Sequence, residues 1–465
     1  MVFSSENFLF VFLPMMLVLY YLFFSFPILT RNVLLLLGSL LFYAWDTSGY
    51  VFLMVLVIIF TWIYGLIISS LRESRYAGSI LTVMILSYAA LFIYFKYSGF
   101  LLKNVNTILG TSISVPDILL PLGISFYMFQ AISYVIDVSR GTVAAQKNLL
   151  YVGLYIAFFP QLIAGPIVRY EAISEQIFHR KENFSLFATG VNKFIFGLAK
   201  KVIIANNLAI VSDYAFSMVV DRVYHGSTLM AWLGAISYML QIFFDFSGYS
   251  DMAVGLAAMF GFHIDDNFNY PYISKSLSEF WRRWHISLQT WLNDYLYIPL
   301  GKKHTSTPLR NYLNIFIVWL FSGLWHGADW SFVLWDLYNC LFIIYEKKRG
   351  KWDIGHIYTL LVILFSWVIF RSNTTYDAFV YLAAMFGKSQ YGMIDPTAVA
   401  YLQQHGIYYL SAILFSAPFI PKLALLLQQN RIWNLAYTFA QLFLLCVCII
   451  FVLNQAYDPF IYYNF

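Results

Sequence analysis

The chain reads as an all-α polytopic membrane protein, and three observations say so. Of its 465 residues, 61% are hydrophobic and only 11% are charged, where a soluble domain carries about a quarter charged. Aromatic residues make up 20%, with 45 Phe and 36 Tyr, a composition suited to lipid and to the membrane interface. Apolar runs also recur at lengths that cross the hydrocarbon core as helices.

Taken in order, the opening "MVFSSENFLFVFLPMMLVLYYLFFSF" lacks a basic n-region and a small-residue cleavage site, so it reads as a retained first span. Runs follow the same pattern near 7–26, 32–45, 49–70, 79–102 and 117–138, the second short enough to suggest tilt. Arg31 lies in the first loop, Asp46 in the second, Arg72 and Arg75 in the third, and Arg140 with Lys147 in the fifth. The positive-inside rule then puts the N-terminus outside and 140–148 in the cytoplasm. The basic run "EKKRGK" at 346–351 is expected in the cytoplasm, with spans near 354–371, 405–420 and 433–453 carrying the C-terminus outside. The expected organisation is one integral-membrane domain over 1–465. It comprises N-terminal spans at 1–140, a core at 145–345, C-terminal spans at 354–454 and an extracytoplasmic tail at 455–465.

The middle third departs from plain spans. "YIAFFPQLIAGPIVRYE" holds two prolines and a glycine inside an apolar run, which predicts a kinked or re-entrant element. Non-helical backbone at membrane depth survives only when buried in protein or lining a wet cavity. Cys340, Cys446 and Cys448 lie in apolar segments without metal-ligand partners nearby, so neither a disulfide framework nor a metal site is expected. The net charge of +5 is scattered over loops; it reads as topology signal, with no nucleic-acid partner.

Two stretches carry chemistry. In residues 267–303, Ser276 and Glu279 fit a capping box that starts a helix. Along it Trp281, Trp284, Leu288, Trp291 and Tyr295 recur at helical spacing beside a polar stripe of Arg282, His285, Gln289 and Asn293. This predicts an amphipathic helix at the interface with its indoles at headgroup level. His285 reads equally as a structural interfacial histidine. Asp245 and Asp251 sit in an apolar run, where an acid is either paired and buried or faces a cavity; Asp265 and Asp266 read as a solvated turn.

The second stretch, "FSGLWHGADW" at 321–330, interrupts two apolar runs. His326 has a side chain that gains and returns a proton near working pH. Gly323 and Gly327 flank it and permit close helix approach or leave room for substrate. From these residues alone, a packed helix-turn histidine and a catalytic base stand side by side.

The blocks "FFPQLIAGPIVRY", "DFSGYSDMAVGLAAMFGF", "NFNYPYISKSLSEFWRRWHISLQTWLNDYLYIPLG" and "LWHGADWSFVLWDLY" resemble, in order, the signature blocks of the membrane-bound O-acyltransferase (MBOAT) family. The likeness covers most of 120–345 and is nearer to its bacterial branch of alginate, peptidoglycan and other polysaccharide O-acetyltransferases and the teichoic-acid D-alanyl transferase. The resemblance implies a ring of tilted helices with re-entrant and interfacial pieces around a central pore or funnel. It implies His326 as the catalytic histidine and His285 as the second. Trp325, Gly327, Arg282, Asn293 and Asp245 are candidates for holding substrate or donor. Lys302 and Lys303 are candidates for steering a CoA donor's phosphates. No resident cofactor is implied; the acyl donor is acetyl-CoA taken from the cytoplasm. The implied partner is an extracytoplasmic SGNH-hydrolase-like acetyltransferase within a polysaccharide-modification complex, and the implied location is the bacterial inner membrane.

The C-terminal "FIYYNF" at 460–465 is similar to the C-terminal motif of a small acyl-carrying partner in the teichoic-acid system, which makes Tyr462 a candidate acyl relay. An aromatic interfacial anchor is the other reading of that tail. Rival classes are a D-alanyl or lipid/protein O-acyltransferase, a transporter or flippase using the same polar groups for ions, and a structural scaffold. Ion-driven flux without an acyl product marks the transporter, and a silent His326→Ala marks the scaffold.

Overall fold

The computed structural model describes residues 1–45, 49–301, 307–350, 355–427 and 430–454. These form two compact units, one of Met1–Phe194 with Ser250–Asp265 and one of Ile195–Tyr249 with Asp266–Phe465. Lys302, Lys303 and Tyr462 lie outside the described residues.

The first unit opens with a π-helical turn, Asn7–Phe12, that runs into α1 (Leu13–Leu22), followed by α2 (Ile28–Ala44), α3 (Tyr50–Leu71), α4 (Ala77–Leu109) and α5 (Ile124–Arg140). These correspond to the five runs expected from hydropathy. The fifth starts later than 117 because Pro116 and Pro121 hold the backbone extended, and Gly123, at φ +70°, turns it into the helix. The core is aromatic: Phe12 meets Phe159 edge-on at 5.4 Å, and Phe42 lies 5.6 Å from Phe159. The expected irregular element follows as α6 (Leu149–Ala157), α7 (Phe159–Leu162) and, after a non-helical stretch, α8 (Tyr170–His179). Ile163, Ala164, Ile167 and Val168 of that stretch are buried. Its backbone is served from within the protein, Tyr155 donating its hydroxyl hydrogen to Val168 O at 3.1 Å.

The chain then forms α9 (Phe184–Ala199), which runs through a π-helical segment, Lys200–Ala205, into α10 (Asn206–Ser217). A two-residue hairpin, β1 (Val219–Val220) and β2 (Val223–Tyr224), precedes the long α11 (Thr228–Met259). The second unit continues with α12 (Leu277–Arg283), α13 (Ile286–Leu292), a π-turn at Asn293–Tyr297, and the hairpin α14 (Pro308–His326) and α15 (Trp330–Arg349). It closes with α16 (His356–Arg371), α17 (Thr375–Met385), α18 (Pro396–Phe415), α19 (Phe419–Leu427) and α20 (Arg431–Asn454).

Beyond the span expected at 354–371, Thr374 caps α17 by accepting from Asp377 N, and Asp395 caps α18 by accepting from Ala398 N. One expectation is corrected here. The span expected at 405–420 stops at Phe415, since Pro418 bars helical backbone in the residue before it and a new helix begins at Phe419.

Five helical stretches among the described residues are long and apolar enough to cross a membrane: Tyr50–Leu71, Ala77–Leu109, Phe184–Ser217, Thr228–Met259 and Ile432–Asn454. Large apolar side chains face outward along them, Phe52 at 77% and Ile108 at 79% exposed, which lipid contact explains and water does not. The chain is a multi-pass, all-α membrane protein.

Candidate active site

The second unit brings the two histidines of the sequence blocks into one aromatic surround. His326 is the last residue of α14, and Gly327 leaves the helix with an extended backbone. Asp329 then caps α15 by accepting from Ser331 N, so its carboxylate serves the helix start. The hairpin closes tightly because of its glycines. A Cβ on Gly323 would sit 2.0 Å from Asp336 Oδ2, and one on Gly327 would sit 2.0 Å from the Phe332 ring. The open sides of both glycines are therefore filled by α15.

His326 is 7% exposed. Its Nδ1 lies 2.8 Å from Ser322 O, one helical turn back. A carbonyl oxygen only accepts, so Nδ1 carries the hydrogen, and in the neutral ring Nε2 keeps its lone pair. Trp335 holds the ring edge-on at 5.0 Å and Phe370 at 5.9 Å. Trp325 contacts both histidines, 4.8 Å from His326 and 6.3 Å from His285, centroid to centroid.

His285 corrects the reading of its own segment. One continuous amphipathic helix is expected there; the helix instead breaks at His285, which takes φ +46° and ψ +54° between α12 and α13. The loop before it does the breaking. Asn267 O accepts from Ile286 N at 2.9 Å, Asn269 N donates to Arg283 O at 2.9 Å, and Asn267 Oδ1 accepts from Ser287 N at 3.0 Å. Those bonds take the place of helix continuation. His285 is 1% exposed, with Nδ1 3.3 Å from Asn267 Oδ1 and Phe246 edge-on at 4.7 Å.

The indoles expected at headgroup level are buried instead. Trp281 packs on Trp319 and Trp335, Trp284 on Trp367, with ring centroids 4.9 to 5.7 Å apart. Burying two flat indoles within the protein stabilises more than leaving them at the surface, about 1.5–3 kcal/mol per large apolar side chain.

The other candidates are placed as follows. Arg282 is exposed whereas His285 is buried, and the break at His285 interrupts the stripe the two were expected to share. Asn293 is half-buried at the start of the π-turn and donates from Nδ2 to Asp294 Oδ1 at 2.6 Å. Asp245 is buried and pairs with Lys201 Nζ at 2.7 Å. Among the described residues no group of three His, Cys, Asp or Glu side chains is arranged to hold a metal ion.

Three residues bearing on the site were missed in the sequence. Asn267 shapes the break at His285, and its signal was an asparagine in a Gly/Asp/Asn-rich loop. Asp336, wholly buried against Gly323, was an acid in an apolar helix, the same signal that singled out Asp245. Glu346, 1% exposed, accepts from Leu277 N at 2.6 Å and from Ser278 N at 3.0 Å, capping α12 from α15. It lay hidden in the basic run read as a topology signal.

The chain is multi-pass and helical, with a buried histidine, His326, at the end of a tight helical hairpin; the comparisons give its family. The chain belongs to the membrane-bound O-acyltransferase family, whose model matches residues 144–352. It is 42% identical over 407 residues to the probable alginate O-acetylase of Azotobacter vinelandii, covering 85% of this chain and 80% of that one. It is 30% identical to the peptidoglycan O-acetyltransferase of Helicobacter pylori across 100% of this chain and 98% of that one. Similarity extends to the teichoic acid D-alanyltransferase of Bacillus subtilis, at 32% over 54% of this chain and 67% of that one. The chain is thus an enzyme, a membrane O-acyltransferase.

Proposed function

We propose that this enzyme takes an acetyl group from acetyl-CoA on the cytoplasmic side of the bacterial inner membrane and delivers it for O-acetylation of an extracytoplasmic polysaccharide. The relatives named for alginate and peptidoglycan acetylation support the polysaccharide acceptor. The observation that carries the chemistry is the Nδ1–H of His326 bound to Ser322 O, which leaves Nε2 to act as base.

In the first step Nε2 removes the proton of an acceptor hydroxyl as its oxygen attacks the thioester carbonyl. The new C–O bond forms, the C–S bond breaks, and the proton on Nε2 passes to the departing CoA thiolate. A positioned base contributes about 10²–10⁴-fold, so holding donor and acceptor in line must supply much of the rest. His285, set by Asn267 and touching Trp325, orients one reactant from the other side of that indole. Trp325, Gly327, Asn293 and Asp245 shape and hold the surrounding walls, and Arg282, Lys302 and Lys303 attract the donor's phosphates. In this reading the chain works as one membrane domain with both termini extracytoplasmic.

The acceptor hydroxyl is that of Tyr462. Its aryl ester is a better acyl donor than an alkyl ester, so an SGNH-hydrolase-like partner outside the membrane completes transfer to the sugar. Incubating the purified enzyme with isotopically labelled acetyl-CoA and sequencing the C-terminal peptide by mass spectrometry tests the first transfer and the relay. Label on Tyr462 that disappears in His326→Ala is the expected result. Transfer of a D-alanyl group but no acetyl group would instead point to the chemistry of the B. subtilis relative.

A further inference from the structure

The first unit holds a second buried charge cluster that acyl transfer does not use. Arg31, in the first turns of α2, and Arg180, just after α8, share one carboxylate, that of Glu182. Arg31 Nη1 lies 2.5 Å and Arg180 Nε 3.5 Å from Glu182 Oε1, which also accepts from the Tyr20 hydroxyl. Arg180 Nη1 is held by Asn32 Oδ1 at 2.5 Å, and Asn32 donates to Ile177 O at 2.8 Å. The side chains of Arg180, Glu182 and Arg31 are 0%, 7% and 11% exposed.

The charges do not balance. Burial works against ionisation of Glu182, but the Tyr20 hydroxyl, its own backbone N–H and Arg31 outweigh it and hold the carboxyl below the usual carboxylate range. Glu182 is therefore charged, and two guanidinium groups face one carboxylate. Arg31 Nε and Arg180 Nη2 are buried with no acceptor among the described residues. An unanswered donor on a buried charge is costly, and an oxyanion is what satisfies it. The guanidinium of Arg31 also lies over the Phe24 ring at 5.4 Å. Around that ring the surface is apolar, with Leu22, Phe24 and Phe26 about half or more exposed.

We propose that Arg31 and Arg180 form a binding site for a phosphate group, entered past Arg31 from the apolar rim at Phe24. Arginine presents paired N–H donors that match phosphate oxygens. Basic pockets between helices are where membrane proteins hold anionic headgroups. The phosphate belongs either to a phospholipid headgroup or to a soluble phosphate compound. The first source fits the apolar rim; the second is tested alongside it.

The test is native mass spectrometry of the full chain in uncharged detergent, titrated with phosphatidylglycerol and, separately, with diacylglycerol, which lacks the phosphate. The wild type is expected to retain one phosphatidylglycerol and no diacylglycerol. Arg31→Gln should raise the half-saturating lipid concentration about tenfold, as losing a charge-assisted pair predicts. Arg180→Gln should do the same, and Arg75→Gln, at an exposed arginine elsewhere in the unit, should not. Displacement by millimolar inorganic phosphate would extend the site to soluble phosphates; resistance to it would leave the lipid as the source. Should Arg180→Gln not fold, Arg31→Gln decides alone. Equal lipid retention by wild type and Arg31→Gln, or retention of diacylglycerol as strong as that of phosphatidylglycerol, overturns the proposal.

Discussion

The Nδ1 of His326 and the carbonyl oxygen of Ser322 lie 2.8 Å apart, at the C-terminal turn of one helix. That contact does two things at once. It ties the ring to its own helix one turn back, and because a carbonyl oxygen only accepts, Nδ1 is a nitrogen that carries a hydrogen. In the proposed reaction Nε2 is then the nitrogen that acts as base.

The hairpin behind His326 should tolerate no added carbon. In Gly323→Ala the new Cβ meets the Asp336 carboxylate and, 2.7 Å away, Phe332 O, which is backbone and cannot swing aside. Overpacking of this kind costs about 1–3 kcal/mol. Thermal unfolding in detergent should show a lowered midpoint together with reduced transfer activity. An unchanged midpoint would mean the two helices separate at no cost, contrary to the packing described.

Asn267→Ala should reduce activity at least tenfold while the protein still accumulates in the membrane. It removes the acceptor for Ser287 N and the contact to His285 Nδ1, and leaving a buried donor unanswered costs about 1–3 kcal/mol. Initial rates normalised to protein quantity check this. Wild-type rates would show that His285 needs no such positioning.

How much of this could be read in the chain differs by level. Five N-terminal helices were legible because each is a sustained apolar run, and the irregular stretch around Pro160 and Gly165 was legible because proline and glycine interrupt an apolar run. The break at His285 was not. Its local pattern favours continuing the helix, and what stops it is a loop 18 residues earlier, Asn267, whose bonds no periodicity records. The burial of Trp281 and Trp284 was hidden for a similar reason: an indole stripe reads alike whether it faces headgroups or other tryptophans. His326 was visible as a polar interruption, but its tautomer depends on a 2.8 Å contact.

The start of α12 should make a pH-dependent contribution to stability. Burial of Glu279 opposes its charge, yet the Lys275 N–H and Arg283 outweigh it and hold the carboxyl below its usual range. A carboxylate lowered by folding stabilises the fold above its unfolded pKa, and that stability is lost as pH falls through the folded value. Glu279→Gln should therefore unfold at a lower temperature than wild type at pH 7, with the two converging in strongly acidic buffer. A gap that persists undiminished there would assign the effect to shape and not to charge.

Tyr462→Phe should abolish acetylation of the polysaccharide while the protein stays at wild-type abundance, since phenylalanine has no hydroxyl to carry the acyl ester. Colorimetric assay of ester-linked acetate on isolated polymer measures it. Wild-type acetate content in that strain would remove Tyr462 from the pathway and leave the tail as an aromatic anchor.

The most direct test of the central claim is the acetate content of the polysaccharide in cells carrying only His326→Ala, with the variant quantified in the membrane fraction. The account predicts folded protein at normal abundance and acetylation at or near background, because alanine has no group to take the hydroxyl proton. Acetylation near the wild-type level, from a normally abundant variant, would contradict it.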